Sequence, residues 1–147
     1  MPETPWRTPL PILNALGLFE TYVGERENDN PHDPWSGRVW LNLPYGPNQR
    51  TYMSHMVNHH NGIAFLGARP DTTLFQRYVF GHATAVLFLE GRIALLDATG
   101  EPDKASAAPR ALAAYGDDEA WVIRRSGLKG YFVWTESAKR TGERTLA

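Results

Sequence analysis

Asn42-Leu43-Pro44-Tyr45, followed by Gly46, closes the apolar run Gly37-Arg38-Val39-Trp40-Leu41, and these four residues have the types and order of a chemical device. An exocyclic ring amine is a poor nucleophile because its lone pair is delocalised into the ring. Two acceptors that take its hydrogens draw the nitrogen toward a tetrahedral, more reactive geometry. The side-chain oxygen of Asn42 and the backbone carbonyl of Leu43 make such a pair. Pro44 fixes φ in the turn, and Tyr45 offers a ring on which a base rotated out of a duplex can stack. A strand that merely ends in a Pro-Tyr turn, with Asn42 bonded locally, would carry the same residues.

Other groupings are less complete. His55 and His59 stand four apart, with His60 beside them, a spacing that could hold a metal on one helical face. No third ligand is evident, Met56 stands where a zinc-helix glutamate would be, and a polar helix face is the alternative; no metal is expected. Asp71 is placed to cap a helix, beside Arg69 and Thr72, and Gly91-Arg92 reads as a turn with a cation. Ser54, Ser106 and Ser126 have no histidine and acid placed to activate them, and there is no phosphate-cradling glycine loop. With no cysteine, disulfides, thiolate zinc sites and cysteine nucleophiles are excluded.

The 147 residues, 42% hydrophobic and 21% charged, suit one domain with one core, spanning residues 1–135, and a flexible tail at 136–147. A net charge of -1 excludes a bulk polycation. The charges are nevertheless unevenly spread. Glu25, Glu27, Asp29 and Asp33 crowd residues 24–33, whereas Arg124, Arg125, Lys129, Lys139, Arg140 and Arg144 give a basic end, either a phosphate-binding face or a solvated helix and tail. With no signal-peptide pattern and no apolar run of membrane length, a cytoplasmic protein without membrane contact is expected.

The elements that would position the turn follow from periodicity. Thr8 to Gly17 reads as a short helix with prolines in its first turn, and Gly24 to Ser36 as a polar loop contributing nothing to the core. Gly37–Asn42 is a buried strand stopped by Pro44. A helix over 48–61 and a strand over 63–68 complete one parallel crossover, and a helix from Asp71 to Gly81 begins a second. Thr84–Leu89 and Ile93–Leu96 flank Glu90-Gly91-Arg92, which suits a hairpin, with a bend in one strand as the alternative. A loop over 97–109, a strand over 111–115, a helix over 117–125 and a strand or apolar tail at 131–134 follow. The order implies an open α/β sheet, mostly parallel, with helices on both faces and a late antiparallel hairpin. Ligands of such sheets sit beyond the carboxyl ends of the strands, where Asn42 to Tyr45 lie.

Residues 35–46, Trp-Ser-Gly-Arg-Val-Trp-Leu-Asn-Leu-Pro-Tyr-Gly, resemble the corresponding segment of the phage-type Dam family of DNA N6-adenine methyltransferases. Leu43 stands where the first of two prolines is usual. Four further segments match in order: Ala68-Arg69-Pro70-Asp71-Thr72 with Phe75, Leu89-Glu90-Gly91-Arg92-Ile93, Ala108-Pro109 with Ala111 to Gly116, and Ser126-Gly127-Leu128-Lys129-Gly130. Pro70 replaces a usual threonine, and the resemblance covers about residues 35–133.

The resemblance implies a Rossmann-like sheet of the S-adenosylmethionine-dependent methyltransferase type, acting on double-stranded DNA with a flipped adenine. It gives Asn42, Leu43, Pro44 and Tyr45 the amine-binding and stacking roles. Trp6-Arg7-Thr8-Pro9 looks like the Thr-Pro segment that lies against the methionine part of the cofactor, which makes Thr8 and Pro9 candidate cofactor contacts; an ordinary helix N-cap is the alternative for Thr8. The family's strand with an acidic residue and small-residue turn before the amine site is not identifiable. Only Leu18 to Gly24 is apolar there, and Glu20, Asp29 and Asp33 are the carboxylates that could substitute. A shortened, inactive relative that binds DNA or a protein partner is therefore the alternative to an enzyme.

Overall fold

The computed structural model describes residues 6–25 and 29–139. One six-stranded sheet organises them, in the order β1-β2-β3-β5-β4-β6. The strands are β1 (Thr21–Val23), β2 (Val39–Asn42), β3 (Gly62–Gly67), β4 (Ala85–Ile93), β5 (Ala108–Tyr115) and β6 (Gly130–Trp134). Pairing is parallel from β1 through β3 and antiparallel from β3 to β5, β5 to β4 and β4 to β6. The sheet is therefore α/β, open and mixed, with parallel pairing confined to its first half.

Alternation along β2 shows how the sheet divides two cores. Val39 and Leu41 face one side, where Tyr52, Met53 and Met56 of α2 (Gln49–His59) pack beside Phe75 and Val79. Trp40 faces the other, against Ile12, Leu13 and Leu16 of α1 (Leu10–Leu16) and Ala120 and Ile123 of α3 (Asp117–Arg124). Both faces are covered, so every residue of β2 is buried. Fully burying each large apolar side chain contributes about 1.5 to 3 kcal/mol relative to exposure. Arg38 joins α1, β2 and α3: it pairs with Glu119 at 2.6 Å, donates to the carbonyls of Leu16 and Leu18, and lies 3.9 Å from the Phe19 ring centre.

Several local expectations change. A strand does form within the apolar stretch before Gly24: β1 is only three residues long, paired by Thr21 to Val39 and Val23 to Leu41. Pro9, rather than Thr8, is the N-cap of α1, and no side chain caps that helix. The helix after β3 opens with Thr72, whose hydroxyl accepts the Phe75 N–H, while Asp71 is exposed and does not cap. Phe75–Phe80 is then a π-helical turn, with the Gly81 N–H reaching back five residues to the Gln76 carbonyl.

Glu90-Gly91-Arg92 is no hairpin. β4 runs straight through it as one strand, with a bulge between Phe88 and Arg92 opposite β5 and Gly91 at φ 79°. The antiparallel return is made instead by β5, after a connection that includes a 3-10 turn at Lys104–Ser106. At the carboxyl end, Glu136–Lys139 form one helical turn, α4, with Ala138 buried and the Ser137 hydroxyl donating to the Gly81 carbonyl; the rest of the expected tail lies outside the described residues.

Candidate functional site

β1 and β2 run side by side in the same direction, so their carboxyl ends present two turns at one edge of the sheet. The first is Gly24-Glu25. Gly24 has φ 86°, and a Cβ there would lie 1.8 Å from the carbonyl oxygen of Asn42, so only glycine permits this approach of the two chains. Its N–H donates to Asp29 Oδ2 at 2.5 Å. The bend turns the next side chain inward, and Glu25 is 1% exposed.

Five donors meet that carboxylate. The backbone N–H groups of Arg7 and Thr8 both reach Oε1 at 2.9 Å. Oε2 accepts from the Thr8 hydroxyl at 2.5 Å, the Trp40 indole N–H at 2.9 Å and the Asn42 amide nitrogen at 3.1 Å. A carboxylate has about four lone-pair positions, so this one is saturated. Burial of a lone carboxylate would be prohibitive; hydrogen bonds to a charged acceptor, each contributing about 1.5 to 3 kcal/mol, offset it.

Asn42 belongs to the same network from the other strand and is 3% exposed. Its Nδ2 donates to Glu25 and, at 3.3 Å, to the Thr8 hydroxyl. Since an ionised carboxylate can only accept, Glu25 decides which end of the carboxamide faces it. The Asn42 Oδ1 atom is left over: among the described residues it takes no hydrogen bond. Next along the chain, the Leu43 N–H extends the sheet by donating to the Phe65 carbonyl at 2.9 Å, while among the described residues the Leu43 carbonyl accepts nothing.

Beyond them the second turn opens. Pro44 is half-buried and Tyr45 is 73% exposed. A cleft of about 550 Å³ lies against Leu43, Tyr45, Leu66, Arg50, Arg69 and Thr72, within the range of roughly 300 to 1,000 Å³ usual for small-ligand sites. Its lining includes two arginines and no carboxylate, which favours an electron-rich or anionic occupant. A shallower groove across α2 shares Arg50 and adds His32, His55 and Asn58.

The structure places Leu43 and Tyr45 at the cleft and Asn42 in the Glu25 cluster, where it meets Thr8 directly and through the carboxylate. Pro9 caps α1 and makes no bond to the cluster. Glu25 and Trp40, the two further members, were not legible as site residues. His55 and His59 go elsewhere, to the carbonyls of Pro31 and Gly37, with the His55 ring stacked on Trp35 at 3.8 Å. Among the described residues, no group of three histidines, aspartates or glutamates is placed to hold a metal. Asp29 and Tyr52 border the network, the Tyr52 hydroxyl donating to the Asp29 carbonyl; burial raises both side-chain pKa values. Burial likewise raises that of Tyr115, whose hydroxyl donates to the Tyr78 carbonyl.

Arg124 and Arg125 do not line the cleft: Arg124 lies over Phe132 and Arg125 over Trp121. Among the described residues no helix is long and apolar enough to cross a membrane. No protein-family model, curated protein or solved structure matches the chain.

Proposed function

We propose that this chain holds a nucleobase, an adenine rotated out of DNA, in the cleft beside Tyr45, as its resemblance to DNA N6-adenine methyltransferases implies. The observation that carries the reading is a pair of unused acceptors at the end of β2: a carboxamide held by Glu25 with its oxygen unbonded among the described residues, and the unbonded carbonyl of Leu43. Leu43 lines the cleft and Asn42 lies just behind it, so the two hydrogens of N6 would have to be reached from the cleft's inner end. Tyr45 supplies the stacking surface, and Arg50 and Arg69 supply charge for the flanking phosphates.

Methyl transfer by the same site is the fuller reading, and the two free acceptors are what favours it. S-adenosylmethionine fits the described residues poorly. Thr8, the residue that the resemblance sets against the methionine part, has its N–H and hydroxyl committed to Glu25. β1 is also the edge of the sheet, whereas doubly wound nucleotide-binding sheets continue past the corresponding strand with further strands for the rest of the ligand. The arrangement accordingly supports a shortened, DNA-base-binding relative ahead of a self-sufficient enzyme.

A duplex carrying 2-aminopurine beside the target adenine tests the base reading, because its fluorescence rises when the neighbouring adenine, with its N6 amine intact, leaves the stack. Enhancement with the wild-type chain that is lost in Asn42→Ala is expected; equal signals from both proteins, or none from either, would remove Asn42 from the reading. Titration calorimetry with S-adenosylmethionine separates the enzyme from the binding module, with heat of binding at sub-millimolar cofactor required by the former.

A further inference from the structure

We propose that the end of β1 is a carboxylate-binding site that the chain fills with its own Glu25, and that a small free carboxylate binds there once that side chain is removed. The donors are arranged as for a ligand. Two successive backbone N–H groups, of Arg7 and Thr8, converge on one oxygen, which is the geometry of a backbone anion nest. A hydroxyl, an indole N–H and a carboxamide N–H converge on the other. The position is that of a ligand as well, since open α/β sheets bind theirs beyond the carboxyl ends of parallel strands.

Each donor is held by something other than Glu25. The Arg7 carbonyl accepts the Leu96 N–H at 2.7 Å, fixing the backbone that carries the nest. Thr8 stands just before α1, with Pro9 between as its N-cap, and that helix is anchored in the core by Ile12, Leu13 and Leu16. Trp40 and Asn42 belong to β2, which is paired on both sides. Glu25 itself arrives by a bend at Gly24 from an edge strand of three residues. The site therefore belongs to the scaffold, and the carboxylate is its occupant. Preorganised donors of this kind are what lets a small ligand bind with little ordering cost.

The lost atoms define the ligand class. Glu25→Ala removes a methylene and a carboxylate, the heavy atoms of acetate, so the vacated space accepts acetate or the carboxylate end of a small metabolite such as an amino acid. The inference stands apart from the base-binding reading, which concerns the cleft at Tyr45, and either can fail while the other holds.

Thermal unfolding of full-length Glu25→Ala in sodium acetate and in sodium chloride at equal ionic strength is the test. Acetate should raise the midpoint in a saturable way, by about 5 °C over chloride at ten times the dissociation constant. Wild type and Glu25→Gln, whose sites remain filled, should show no acetate-specific change. If the variant is unfolded in chloride, acetate should restore its circular dichroism. Identical behaviour of the variant in the two salts, folded or unfolded, overturns the proposal, and so does an equal acetate effect on wild type.

Discussion

The ends of β1 and β2 lie beside each other, yet they use polar side chains in opposite ways. After β1, Glu25 turns inward, and every acceptor position of its carboxylate is used. After β2, the chain turns outward from a buried Asn42: among the described residues that side chain keeps an unbonded oxygen and Leu43 an unbonded carbonyl, and Tyr45 holds an exposed ring beside a cleft. Saturation at one end is the means by which the other stays unsaturated, since Glu25 takes the donor end of the Asn42 carboxamide and leaves the acceptor. A closed polar site and an open one are therefore one device, and substitutions at each should have separate signatures.

Glu25→Leu should have the largest effect. It strands the buried N–H and O–H groups of residues 7, 8, 40 and 42 without an acceptor, and the expected loss is about 4 kcal/mol or more in urea unfolding, given about 1 to 3 kcal/mol per orphaned donor. Trp40→Phe keeps most of the ring packing and deletes one donor to the carboxylate, so a loss of about 2 kcal/mol is expected by the same measurement. Effects below 0.5 kcal/mol at both positions would mean that the closed site is not closed in solution.

Tyr45→Ala inverts the signature. Stability should move by less than about 0.5 kcal/mol, because the side chain is exposed, while affinity for single-stranded or base-flipped DNA falls about tenfold through lost stacking. Arg69→Ala should weaken DNA binding only a few-fold and lower the slope of log affinity against log salt by about 1; an unchanged slope would separate Arg69 from the phosphates.

The smallest expected effect is on pH dependence. Burial holds the Asp29 carboxyl above its ordinary 3.8, so the folded chain keeps that proton longer than the unfolded chain does. Stability from this group is fully present below 3.8 and is lost as pH rises through the folded value. Asp29→Asn, which still offers an acceptor to the Gly24 N–H, should flatten that fall when urea midpoints are compared from pH 3 to 7.

The open end was legible in the sequence and the closed end was not, for a physical reason. A buried strand that stops at Pro44 is a local pattern, and the chemistry proposed for Asn42 to Tyr45 needs only four consecutive residues. Glu25 sits in a charged stretch, Gly-Glu-Arg-Glu-Asn-Asp-Asn, that looks like solvated loop, and its burial depends on donors 15 to 18 residues away. β1, at three residues, is too short for a periodicity. The choice at Glu90-Gly91-Arg92 had the same origin: a glycine connector serves a hairpin or a bulge, and only pairing of β4 with both β5 and β6 decides. Asp71 has the residue type of a cap, and the sequence points to it; the hydroxyl of Thr72 is the group within reach of the Phe75 N–H.

Gly24 sets a condition on how this pair of turns can change over generations. With the Asn42 carbonyl filling the place of any Cβ, the two strand ends are in backbone contact, and no side chain can be inserted between them. A lineage that exchanges this glycine must respace the strands, and with them the carboxamide of Asn42. Related chains that retain the Asn-Leu-Pro-Tyr turn in this geometry should therefore retain the glycine as well, and the loss of either should be followed by the loss of the other.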